Sequence, residues 1–70
     1  MEVSSKLEFY QGIIKYLLES TSYNLQTIAE LTDSTINTIQ SIYSGEQVPP
    51  NFSEHLLVRL YLFILDLQNP

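Results

Sequence analysis

The sequence predicts an all-α fold: a small helical bundle of four or five helices that ends in a long C-terminal helix. Three observations lead there. Apolar residues recur three and four positions apart along most of the chain, and no segment alternates as a strand would. Helix-start residues, Asn24 and Thr35, each follow a polar break. Gly45 and then Pro49-Pro50 supply helix-stop and turn chemistry before the last apolar run.

The 70 residues make one domain, 1–70. A hydrophobic fraction of 44% against 16% charged residues favours a folded domain over a disordered acidic tail. At this size one core is marginal and is often reinforced by disulfides, metals or oligomerisation. The chain has no cysteine, and its lone His55 cannot build a metal site, so neither disulfide nor metal is expected. Oligomerisation remains. No cofactor is implied.

The first helix is expected over about Ser5–Ser20. Leu7, Tyr10, Ile14 and Leu17 recur on one side, and Phe9, Ile13 and Tyr16 widen the apolar arc. A second helix, capped by Asn24, carries Leu25, Ile28 and Ala29 inward and ends near Leu31. Thr32-Asp33-Ser34 is turn chemistry, in which short polar side chains bond nearby backbone. Thr35 caps a third helix running to about Ser44. Ile36, Ile39, Ile42 and Tyr43 fall on one side of it, and Asn37, Gln40, Ser41 and Ser44 on the other. Asn51-Phe52-Ser53-Glu54 resembles a capping box opening a fourth helix, about 52–68. That helix is apolar nearly all round. Phe52, Leu56, Leu60, Phe63 and Leu67 form one stripe, and Val58, Tyr61, Leu62 and Leu65 a second on another side. Such a helix is expected to be buried nearly all round. The second stripe has the spacing of a helix-packing seam and predicts a homodimer through Val58, Tyr61, Leu62 and Leu65.

Two short helices around a tight turn, about 24–44, suggest a helix-turn-helix. The segment "NLQTIAELTDSTINTIQSIYSGEQVPP" resembles the core of the phage-repressor (lambda-repressor-like), or XRE-type, helix-turn-helix domains. The resemblance rests on Ile28-Ala29 in the first short helix, Ile39 and Ile42 in the second, then Gly45 and Pro49. It departs at Asp33, where the family usually has glycine, and at Ser34, where it has an apolar plug. It departs again at Leu25, often glutamine, at Tyr43-Ser44, often Glu-Arg, and at Glu46-Gln47, often basic. One long last helix stands where the family has two.

The resemblance implies a DNA-binding transcriptional regulator, with double-stranded DNA as partner. The residues expected to contact it are Thr35, Asn37, Thr38, Gln40, Ser41 and Gln47, since amides and hydroxyls can bond base edges. The helix N-termini at Asn24 and Thr35 could present N–H groups to phosphates.

Charge points the other way. The net charge is −5, and residues 24–50 hold Glu30, Asp33 and Glu46 with no basic residue. Long-range electrostatics then disfavour nonspecific attraction to nucleic acid or an anionic membrane. The alternative expectation is an acidic protein-interaction module, such as an antitoxin, an adaptor or an inhibitor of a regulator. No enzyme is expected: Ser53 and Glu54 beside His55 show no orienting partner or oxyanion hole. Residues 1–10 have no signal-peptide pattern, and Leu56–Leu67 is too short and too polar to span a bilayer. The expected location is cytoplasmic.

Overall fold

Helix boundaries follow from caps that the sequence can supply. A computed structural model describes residues 5–68; residues 1–4 and 69–70 of the predicted domain lie outside the described residues. It has four helices among them: α1 (Ser5–Ser20), α2 (Leu25–Leu31), α3 (Ile36–Tyr43) and α4 (Glu54–Gln68). The described residues include no strand, and α4 is one unbroken helix of 15 residues.

The Asn24 side chain accepts from the Thr27 N–H at 2.8 Å, and Thr35 Oγ1 accepts from the Thr38 N–H at 3.2 Å. Each satisfies an otherwise orphaned donor. Both short helices also end alike. After α2, the Ser34 N–H reaches back to the Ala29 carbonyl at 2.8 Å and the Asp33 N–H to Glu30 at 3.3 Å. After α3, the Glu46 N–H reaches Ser41 at 2.9 Å and the Gly45 N–H reaches Ile42 at 3.0 Å. This is the paired bonding of a Schellman ending, which needs one residue in the left-handed region. Gly45 has φ 83° and Asp33 has φ 56°. Asp33 therefore does the work of a glycine, a role that Asp tolerates better than most side chains.

The core gathers Tyr10, Ile13, Ile14 and Leu17 of α1, Ile28 and Ala29 of α2, Ile39 and Ile42 of α3, and Leu57 and Ile64 of α4, with Phe52 ahead of α4. Ala29 is buried between helices where a larger residue would have to displace neighbours. Thr32 is buried too, and its hydroxyl donates to the Ile28 carbonyl at 2.7 Å and meets Ser34 Oγ at 2.8 Å. Ser34 thus joins a small hydrogen-bonded turn.

Helices α1 and α4 run parallel. Lys6 and Tyr10 meet Glu54, Tyr16 stacks edge-on with Tyr61 at 5.5 Å, and Gln68 Nε2 donates to the Ser20 carbonyl at 3.1 Å. The Tyr16 hydroxyl also bonds Gln68.

Two expectations for this helix need correction. The capping box does not form as predicted: the Glu54 carboxylate accepts from Tyr10 at 3.0 Å and from Lys6 at 3.3 Å instead of reaching back to the Asn51 N–H. The helix starts at Glu54, later than 52, through a Ser53 carbonyl that accepts from the Leu56 N–H. Nor is the helix buried nearly all round. Its core line is Leu57 and Ile64, which neither predicted stripe contains. Leu62, Phe63 and Leu67 are 55, 57 and 62% exposed. With α1 and α2 the neighbours packed on it, part of the circumference faces outward.

None of the helices among the described residues is long and apolar enough to cross a membrane.

Candidate functional site

Helix α3 is held from below and open above. Ile39 and Ile42 are completely buried, which fixes the rotation of the helix about its axis. Its end is tied to α1, where Gln11 Nε2 donates to the Tyr43 carbonyl at 3.0 Å. The opposite side carries Asn37, Gln40, Ser41 and Ser44 at i, i+3, i+4 and i+7, the spacing of one helix face. With Glu46 they line a shallow concavity of about 320 Å³.

The six predicted contact residues divide into three groups. Asn37, Gln40 and Ser41 share the concavity, with both amides exposed and Ser41 half-buried. Thr35 and Thr38 sit at the start of the helix, and their hydroxyls are engaged with each other at 3.1 Å as part of the cap. Gln47 is exposed beyond the turn and does not line the concavity.

Two further residues belong to the face. Ser44 was legible as a polar residue seven positions after Asn37. Glu46 arrives through the Schellman turn: its N–H bonds the Ser41 carbonyl, and its carboxylate accepts from the Ser41 hydroxyl at 3.2 Å. A carboxylate therefore stands on the face that the charge count had already left without a cation. Of the two lysines of α1, Lys15 lines a second concavity with Tyr43 at the end of α3, and Lys6 is paired with Glu54. Exposed ion pairs of that kind are weak, so Lys6 stays available for other anions.

The residues predicted at a dimer seam are also separated. Val58 and Tyr61 pack against the core of their own chain, Leu65 is half-buried, and Leu62 is exposed. Phe63 and Leu67, from the other stripe, join Leu62 as the exposed apolar groups of α4.

His55 is exposed in the first turn of α4, while the neighbouring Glu54 carboxylate is committed to Lys6 and Tyr10. Burial raises the Tyr10 pKa above its ordinary value, and the hydrogen bond to Glu54 and its negative charge add to the rise. Among the described residues no three His, Cys, Asp or Glu side chains come together as a metal site. No protein-family model, curated protein or solved structure matches the chain.

Proposed function

We propose that this domain is a small DNA-binding transcriptional regulator, with α2 and α3 forming a phage-repressor/XRE-type helix-turn-helix and two copies acting together. The observation that carries the reading is the outer face of α3. A helix rigidly seated by Ile39 and Ile42 presents two amides and two hydroxyls, from Asn37, Gln40, Ser41 and Ser44, along one line. Asn and Gln amides can bond adenine N6 and N7 together, and each such pair discriminates by about 1–3 kcal/mol. The buried Ala29, the tight Thr32–Ser34 turn and the Gly45 ending support the same assignment. With few cations near α3, binding should depend only shallowly on salt.

The decisive experiment is selection from a random duplex pool at low salt. Enrichment of one sequence, lost in the Asn37→Ala/Gln40→Ala double variant, is the expected outcome. A pool that emerges unenriched sinks the proposal, and a steep salt dependence contradicts its contact chemistry.

One observation favours a second reading, an acidic protein-interaction module on the same scaffold. Glu46 places a carboxylate beside Ser41, and the apolar Leu31, Ile36 and Tyr43 are exposed around the same unit. Such a mixture of apolar and acidic groups suits a protein surface better than a phosphate backbone.

A further inference from the structure

The outward side of α4 has a symmetrical pattern. Arg59, Leu62, Phe63 and Asp66 stand at i, i+3, i+4 and i+7, all exposed, opposite the buried Leu57 and Ile64. A cation closes one end of the face, an anion closes the other, and two large apolar groups fill the middle. Within one helix Arg59 and Asp66 are two turns apart, about 10.5 Å along the axis, too far to pair. Neither forms an ion pair with another described residue.

We infer that this face binds the same face of a second copy, with the two α4 helices antiparallel across a two-fold axis between Leu62 and Phe63. That operation brings residue 59 of one helix opposite residue 66 of the other. Arg59 then faces the partner's Asp66 at both ends, and Leu62 faces the partner's Phe63 at the centre. A two-fold contact uses one patch twice, so it must be self-complementary, and this patch is. A parallel pairing would set Arg59 against the partner's Arg59 and Asp66 against the partner's Asp66, and like charges so placed oppose association. The pairing covers Leu62 and Phe63, two of the three exposed large apolar residues of α4, with the third, Leu67, one turn further along. It also specifies the partnership that the proposed function calls for, but its argument rests on α4 alone.

The test is sedimentation of the full chain without DNA, from about 1 to 500 μM, a range suited to an interface of a few large side chains. The wild-type chain is expected to dimerise. Phe63→Glu should leave a monomer with unchanged helical content, because the side chain is exposed; Leu62→Glu is the second variant should that one misfold. Arg59→Asp should weaken dimerisation about tenfold or more, by turning both attractive end contacts into repulsive ones. Adding Asp66→Arg to it should restore the wild-type affinity to within a few-fold. A chain monomeric throughout overturns the inference. So does a dimer indifferent to Phe63→Glu and Leu62→Glu, or one that ignores Arg59→Asp, as a parallel pairing would. A dimer that enriches no DNA sequence would sink the proposed function and leave this inference standing.

Discussion

Helices α3 and α4 both turn one side to the core, yet their outer sides are built from different chemistry. On α3 the outer line is Asn37, Gln40, Ser41 and Ser44, groups that water satisfies easily. On α4 it includes Leu62, Phe63 and Leu67, groups that water solvates poorly. Burial fixes a helix from within and says nothing about the side it leaves outward. For α3, the polar line itself supplies no drive toward nonspecific association, and the exposed apolar Ile36 and Tyr43 lie to one side of it. For α4, an apolar outer side ringed by Arg59 and Asp66 supplies that drive and gives it direction.

The comparison can be broken first at the buried sides, where the two helices should behave alike. Ile42→Ala and Leu57→Ala each remove a fully buried side chain and should cost about 2–5 kcal/mol. In a domain this small that is a large share of total stability. Urea unfolding should show both variants with sharply lowered midpoints. A loss much smaller for Leu57→Ala would make α4 peripheral to the fold and end the parallel.

The next effects separate the chain's two glycines. Gly45→Ala forces a side chain into the left-handed region, 3.2 Å from the Gln11 amide that braces α3, and should cost about 1–2 kcal/mol. Gly12→Ala has open space around the new methyl and lies inside α1, so it should stabilise by about 0.5–1 kcal/mol. Thermal melts of the two variants should move in opposite directions.

Smaller again are the outer faces. The Asn37→Ala/Gln40→Ala variant should unfold within about 0.5 kcal/mol of wild type per substitution, because both side chains are exposed. A large loss would mean that this face is part of the scaffold and is not free for recognition.

The least effect is expected from pH. The raised pKa of Tyr10 means that the folded chain holds its phenolic proton more tightly than the unfolded chain does. Its contribution is therefore complete below the ordinary tyrosine value of 10.0 and declines as pH rises through the higher folded value. Tyr10→Phe should flatten the alkaline limb of the stability curve, measured by urea titration between about pH 8 and 11.

Much of the fold was readable from the chain. Asn24, Thr35 and Gly45 mark the ends of α2 and α3 because caps are local chemistry. Ile28, Ala29, Ile39 and Ile42 were readable as core because their spacing matches one helix face. The orientation of α4 was not. A helix with apolar residues on most sides gives periodicity several equally good solutions, and Leu57 and Ile64 were selected by what α1 and α2 leave open. The role of Glu54 was not legible for a related reason: its long-range partners, Lys6 and Tyr10, take the carboxylate that local spacing assigns to the Asn51 N–H. At the candidate site, Asn37, Gln40 and Ser41 could be grouped from spacing alone. Glu46 could not, since its position depends on the reversal of the chain after Gly45.

The parallel arrangement of α1 and α4 also bears on the order in which the domain assembles. The α2–α3 unit closes through contacts between neighbours in sequence. The bonds that seat α4 join residues 44 to 52 positions apart: Tyr10 with Glu54, and Tyr16 with Gln68. Closing a loop of that size must be compensated before those contacts contribute, so local pairs form readily and distant ones later. Helix α4 is then expected to dock last and detach first, and its amides should exchange with solvent sooner than those of α2 and α3. A second copy clamped along its outer side would slow that opening without touching the core.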